Sequence, residues 1–258
     1  MRLDILHIIF KNKIMENIQK NHFNSRADYS KRGDFDNDPR IKLMLKNLSH
    51  MLKNNPSAKV LDVGVADGYI YRNITSKYKI FGVDIAEEFV KSAKANGVEA
   101  SVCDLEKERL PFKDNYFDVV VTGETIEHIV NSDFLLSEIN RVLKVNGKLI
   151  LSYPNINTPL GIIMMLFFDI PPMYAARFRA SHVRDWTKKT IKVALRSFGF
   201  DISKIIGSGF YFPGLGFFRI FNLSNFLPRF SYSAVVIATK KDDVKYDQNK
   251  VTVNNLCL

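Results

Sequence analysis

The sequence predicts an α/β fold, a mostly parallel sheet with helices on both faces, and three observations carry that expectation. Short apolar runs alternate with helix-period patterns over about 100 residues, the rhythm of repeated strand–helix–strand units. The run Val60-Leu61-Asp62-Val63 passes straight into Gly64-Val65-Ala66-Asp67-Gly68, a buried strand feeding a glycine turn through which backbone comes close to a nucleotide-like ligand. Aspartates then recur just past successive apolar runs, at Asp84 and Asp104, where an open α/β sheet binds its ligand.

Composition limits the alternatives. A chain of 258 residues, 46% hydrophobic and 25% charged, has enough apolar material for one large core, or one core with an inserted lid. The formal charge of +10, from 37 basic and 27 acidic residues, suits nucleic acid, an anionic membrane surface, an anionic substrate, or an ordinary basic protein. The charge is spread along the chain, with no arginine-rich tract or RNA-reading signature, so nucleic acid is the less favoured partner. Cys103 and Cys257 form no C-x-x-C pair, which argues against a disulfide framework or thiolate zinc site and for a reducing cytoplasm. Ile5 to Phe10 is a short apolar run interrupted by His7 with no cleavage site after it, so no export signal is expected. The longest apolar run, Leu160 to Phe168, falls short of the ~20 residues that cross a bilayer.

Taken in order, residues 1–39 are polar and mixed in charge and read as a substrate or lid segment preceding a main domain over 40–240. Arg40 to Leu52 has apolar residues at helical spacing and should pack on the sheet. Lys59 to Val63 reads as the first strand and Tyr69 to Ser76 as the helix after the turn. Lys79 to Val83 is a second strand, Glu87 to Asn96 a helix, and Val98 to Val102 a third strand. Phe117 to Thr122 is a fourth, followed by a helix beginning near Glu124. Ser132 to Leu143 is an amphipathic helix leading through Lys144-Val145-Asn146-Gly147 to a fifth strand, Lys148 to Tyr153. The rhythm breaks after Pro154, and residues of about 155–186, apolar and aromatic around Pro171-Pro172, read as an insertion over the sheet's active edge. Thr187 to Phe198 resumes a helix stopped by Gly199. Phe200 to Ile206 and Ser231 to Thr239 are strands separated by an aromatic loop, and 241–258 is a polar tail.

Residues just past strand ends are the candidates for ligand binding. Gly64 and Gly68 permit the tight turn. Asp84 follows Gly64 by about 20 residues, the spacing at which a carboxylate accepts both ribose hydroxyls. Asp104 is positioned to accept from the exocyclic amine of an adenine, with Leu105 against the ring. Any one of these carboxylates could be a solvated loop residue; three at successive strand ends, Asp62, Asp84 and Asp104, are harder to dismiss.

On these segments, together with Leu110-Pro111-Phe112-Lys113-Asp114-Asn115-Tyr116-Phe117-Asp118-Val119-Val120 and Arg141-Val142-Leu143-Lys144-Val145-Asn146-Gly147-Lys148-Leu149, the chain resembles class I S-adenosylmethionine-dependent methyltransferases over residues 40 to 240. The resemblance implies a Rossmann-like seven-stranded sheet whose last strand runs antiparallel, with Ser231 to Thr239 in that place. It implies that Asp62, Gly64, Ala66 and Gly68 surround the methionine moiety, Asp84 and Ile85 the ribose, and Asp104 and Leu105 the adenine. Ala66 departs from the pattern, standing where the family carries a middle glycine.

Glu124-Thr125-Ile126-Glu127-His128 follows the fourth strand. On a helix Glu124, Glu127 and His128 share one face. The element resembles the E-x-x-E-H of ubiquinone-biosynthesis O-methyltransferases and of small-RNA 2′-O-methyltransferases. That resemblance implies a divalent cation such as magnesium held by Glu124, Glu127, His128 and a later histidine, for which His182 is the candidate. Two other readings stay open: His128 or His182 as a metal-free general base, and a Glu-His pair that only shapes the cofactor pocket. The expected activity is methyl transfer, foremost to oxygen of a small or lipid-linked acceptor. RNA methylation and a non-catalytic binding protein are the alternatives. The apolar stretch Leu160 to Phe168 and the aromatic residues between Phe210 and Phe221 fit either a buried lid or a peripheral contact with the inner face of a membrane, with Arg177, Arg179, Arg184, Lys188 and Lys189 toward anionic headgroups.

Overall fold

Helix α1 (Pro39–Asn54) opens the described part of this computed structural model, which covers residues 37–169, 182–212, 216–218 and 227–246. Asp38 caps the helix by accepting from the N–H groups of Arg40 and Ile41, and Pro39 sits in the first turn, where its missing N–H costs nothing. The polar segment before residue 37, the centre of the apolar insertion with Arg177 and Arg179, most of the aromatic loop, and the tail beyond 246 lie outside the described residues.

Seven strands form one sheet in the order β3-β2-β1-β4-β5-β9-β6: β1 (Lys59–Val63), β2 (Lys79–Asp84), β3 (Glu99–Val102), β4 (Phe117–Gly123), β5 (Leu143–Pro154), β6 (Phe200–Gly207) and β9 (Ser233–Lys240). β1 to β5 pair in parallel, and β9 runs antiparallel between β5 and β6. This is the seven-stranded arrangement with an antiparallel last strand that the family resemblance implies. A hairpin of β7 (Phe210–Phe212) and β8 (Gly216–Phe218) lies within the stretch read as a loop.

Alternation along the strands builds two cores, one on each face. Val60, Val119, Val121, Ile150 and Val235 point to the layer holding Met44 and Leu48 of α1 and Val90 and Ala93 of α2 (Glu87–Ala95). Leu61, Val63, Val120, Leu149, Leu151 and Val236 point to the layer holding Leu135 and Ile139 of α3 (Ser132–Val142) and Ile191 and Leu195 of α5 (Lys188–Ser197). Arg141 fastens the Leu-Pro-Phe segment to this second layer, donating to the carbonyls of Leu110 (2.9 Å) and Phe112 (2.8 Å) while pairing with Glu138 at 2.6 Å.

Three expectations are corrected. The helix expected over Tyr69 to Ser76 is a 3₁₀ turn, Tyr69–Tyr71, followed by turns: the chain enters it through a left-handed Gly68 (φ +64°), and Asp67 Oδ1 accepts from the Tyr69 N–H at 3.1 Å. The helix expected at Glu124 is a single 3₁₀ turn, Ile126–His128: the chain leaves β4 through a left-handed Glu124 (φ +49°), too abrupt an exit for an α-helix to begin there. The fifth strand begins at Leu143, earlier than expected, with Asn146 at φ +66° and a register shift against β4.

Candidate functional site

The carboxyl ends of β1, β2 and β3 are linked through backbone. Gly64 and Val65 N–H both donate to the Val83 carbonyl, at 2.9 and 3.0 Å, so the glycine turn folds against the end of β2. Gly64 has φ +84°, and a Cβ built on it would meet Thr125 Oγ1 at 2.3 Å; both facts require glycine. Ala66 is also left-handed, at φ +48°, a conformation that a glycine would adopt with less strain.

The Ala66 N–H donates to Asp84 Oδ2 (2.9 Å) and the Ala86 N–H to Asp84 Oδ1 (3.0 Å). Burial raises the Asp84 pKa, and these N–H bonds, with one from Ile85, pull it back. Asp62 is buried on β1 and accepts from the Tyr71 hydroxyl at 2.8 Å through Oδ2. Burial pushes its pKa to about 7, with the Tyr71 bond opposing and the Asp84 charge adding. Asp62 Oδ1 and Asp67 Oδ2 are buried with no hydrogen-bond partner among the described residues, acceptors suited to a cationic ligand at the turn. Gly68 closes the turn and packs tightly against Ala93 of α2 and Val98 beyond it, so that an added Cβ would stand 3.2 Å from Ala93 Cα and 2.9 Å from Val98 Cγ2.

Asp104 follows β3, next to Cys103, whose N–H reaches the Asp84 carbonyl at 3.0 Å. Its Oδ1 accepts from the Glu106 N–H at 2.9 Å, and Leu105 is buried in the core on the α3 side. Asp62 and Asp84, in the last residues of β1 and β2, and Gly64, Ala66, Gly68, Ile85 and Asp104, in the turns that follow β1, β2 and β3, thus all lie along one sheet edge.

A second group lies beyond β4 on the same edge. Thr125 joins the two groups, its Oγ1 donating to the Val63 carbonyl at 3.2 Å. After it, Glu127, His128 and His182 bring three ligand atoms within 4.8 Å of one another. Glu127 Oε1 is 3.9 Å from Nε2 of each histidine, and the two rings stand edge to face with centroids 4.8 Å apart. Glu127 is fully buried, and its carbonyl accepts from the N–H groups of Val183 (2.9 Å) and Arg184 (3.2 Å), which holds the His182 segment against the turn.

Glu124 does not join this group, contrary to the expected four-residue set. With no helix to align it with Glu127 and His128, its side chain turns to Arg40 (2.9 Å), and Oε1 accepts from Ser233 Oγ (3.0 Å). Arg40 is also 3.3 Å from Asp38. Desolvation works against its charge, but Glu124, Asp38 and Glu127 outweigh it and raise its pKa further.

Arg40, Tyr71, Thr125 and Asp67 escaped the sequence reading. Tyr71 and Thr125 act through tertiary contacts that no local pattern encodes. Arg40 carried a signal: a cation in the first turn of a helix opposes the helix dipole and asks for a compensating carboxylate.

Residues 61–151 match the methyltransferase domain family. An uncharacterized protein of Methanocaldococcus jannaschii is 32% identical over 106 residues, 41% of this chain and 49% of that protein. The ubiquinone/menaquinone biosynthesis C-methyltransferase UbiE of Paraburkholderia phytofirmans is 29% identical over 135 residues, 48% of this chain and 55% of the relative. The chain therefore spans about half the length of the curated relatives it matches. Among solved structures, magnesium protoporphyrin IX methyltransferase from Synechocystis, with bound SAH, aligns with a TM-score of 0.61 at 18% identity, over 87% of this chain and 99% of that one. A possible histamine N-methyltransferase from Thermotoga maritima aligns with a TM-score of 0.59 at 20% identity, over 85% and 99%. The fold is the one these methyltransferase structures share, and residues 61–151 carry the match to the methyltransferase domain family.

Proposed function

We propose that this chain transfers a methyl group from S-adenosylmethionine to oxygen of a small or lipid-linked acceptor, with residues 1–39 and the insertion at 155–186 shaping the acceptor side. The observation that carries the reading is the continuity of one edge: buried Asp62 and Asp84 around the glycine turn, joined through Thr125 to the Glu127-His128-His182 group. The acceptors left at the turn by Asp62 Oδ1 and Asp67 Oδ2 fit the ammonium of a methionine moiety, Asp84 fits the ribose, and Asp104 the adenine. When bound, adenosylmethionine supplies an electrophilic methyl on a sulfonium. The chain's own work is to position the acceptor oxygen in line and to take its proton. His128 and His182, backed by buried Glu127, are the bases in reach of that task, because an imidazole accepts a proton near neutrality and a carboxylate beside it stabilises the imidazolium.

A second reading puts a divalent cation on the same three residues, favoured by the 4.8 Å grouping of their ligand atoms. Two imidazoles and one carboxylate suit a first-row transition ion better than magnesium, which prefers oxygen donors. Bound there, the ion would lower the pKa of the acceptor hydroxyl. The similarity to a C-methyltransferase of quinone biosynthesis also makes carbon an alternative methylated atom.

Labelled adenosylmethionine incubated with fractionated lipid, small-metabolite and RNA pools tests the acceptor class. Label in lipid or small molecules is expected, and analysis of the product tells oxygen from carbon. Label in RNA alone would replace the acceptor proposed.

A further inference from the structure

Helix α4 (Pro159–Phe168) begins directly beyond the carboxyl end of β5 and contains no charged residue. Its start is firm: the Gly161 N–H donates to Thr158 Oγ1 at 3.0 Å, and Gly161 is buried. Its far end is not covered by the described residues. Ile162, Ile163 and Met165 are 40–53% exposed, and Leu166, Phe167 and Phe168 64–72%.

A helix turns by ~100° per residue, so these six positions are spread around the whole circumference instead of lining one stripe. A groove on a soluble partner, or a second copy of this chain, covers one stripe and leaves the opposite side in water. Hydrocarbon surrounds an inserted helix on every side. At ten residues the helix is about half the length needed to cross a bilayer, and no helix among the described residues is long and apolar enough to do so. It is long enough for its last turns to enter the headgroup boundary to the ~5–10 Å typical of interfacial helices.

Cations lie beside its root. Asn155 bridges to Trp186, and the Ile156 N–H donates to the Trp186 carbonyl at 3.1 Å, so the base of α4 is tied to the segment carrying Arg184, Lys188 and Lys189. Exposed Val183 belongs to the same segment, which also delivers His182 to Glu127. An apolar tip with lysines and arginine at its base, on a chain of net charge +10, complements an anionic lipid surface.

We propose that α4 is a membrane-insertion element, its Met165–Phe168 end entering the boundary of an anionic bilayer while Arg184, Lys188 and Lys189 face the headgroups. Only the consequence, that the His182 group is presented to a lipid-linked acceptor, rests on the methyl-transfer reading; the membrane contact does not.

The test is flotation of the full chain with phosphatidylglycerol/phosphatidylcholine vesicles and with phosphatidylcholine alone, alongside adenosylmethionine titration of the same samples. The chain should float with the anionic vesicles, and Leu166→Asp/Phe167→Asp should cut partitioning by at least ~10-fold with cofactor affinity unchanged. Lys188→Glu/Lys189→Glu should remove the preference for anionic lipid. Absence of flotation overturns the proposal, as does undiminished flotation of the aspartate variant. A concentration-dependent dimer broken by that variant, without vesicle binding, would assign the helix to a second copy instead. Loss of adenosylmethionine binding by the unmodified chain would count against the methyltransferase reading and leave the membrane result standing.

Discussion

Arg40 Nη1 lies 2.9 Å from Glu124 Oε2, joining the first turn of α1 to the carboxyl end of β4. The pair anchors the start of α1 at the edge where the glycine turn and the histidine group meet, and it accounts for Glu124 facing away from Glu127. A largely buried cation is stable there because Asp38 and Glu124 share it. Arg40→Ala should therefore lower stability by about 3 kcal/mol in urea denaturation, since it leaves carboxylates unpaired at a partly buried edge. Glu124→Ala should cost less, because Asp38 still pairs the arginine. The double variant should cost less than the sum of the two; strict additivity would mean the contact contributes nothing.

The left-handed residues of the turn make opposite predictions. Gly64→Ala adds a Cβ 2.3 Å from Thr125 Oγ1 at φ +84°, and should lower stability by at least ~2 kcal/mol and weaken adenosylmethionine binding. Ala66→Gly relieves the strain at φ +48° and loses some chain stiffness, so thermal stability should stay within ~1 kcal/mol of the parent. Ala66→Val, β-branched in a left-handed conformation, should be the costlier change at that position.

Asp62 gives a pH dependence with a defined sign. Its ordinary pKa of 3.8 is raised to about 7 in the fold, chiefly by burial. Between these values the native chain holds a proton that the unfolded chain has released, so stability should fall as pH rises through that window and level off above about 7. A cationic ligand favours the carboxylate, so adenosylmethionine should bind more tightly as pH rises toward and past 7. Titration calorimetry of Asp62→Asn should lose both trends; a retained slope would move the proton to another group.

The histidine group separates chemistry from cofactor binding. His128→Ala and His182→Ala should each lower kcat by roughly 10²–10⁴-fold with little change in adenosylmethionine affinity. Chelation distinguishes the two roles given to these residues. Activity that survives exhaustive chelator treatment supports the imidazoles as bases, and activity lost to chelator and restored by a transition ion supports the cation.

The sheet was legible because β1, β2, β4 and β5 are dense apolar runs whose alternation serves two cores, and because Asp84 and Asp104 mark strand ends. The glycine turn was legible for a similar reason, since backbone conformation at Gly64 and Gly68 restricts residue type directly. The region after β4 was not. Glu124, Glu127 and His128 fit helical spacing, and only the left-handed exit at Glu124 breaks that periodicity. The partnership of Arg40 with Glu124 crosses from the first described helix to the sheet edge, a contact set by the fold rather than by any local pattern. His182 was placed by resemblance, and what fastens it is backbone bonding to the Glu127 carbonyl, which sequence does not display.

Calorimetric titration of the full chain with S-adenosylmethionine, beside Asp84→Ala, tests the account most directly. Saturable one-site binding that Asp84→Ala weakens by at least ~10-fold is the predicted result, because Asp84 ties the glycine turn to the end of β2 through the Ala66 N–H and is the residue proposed to take the ribose. No binding, or binding that Asp84→Ala leaves unchanged, would contradict it.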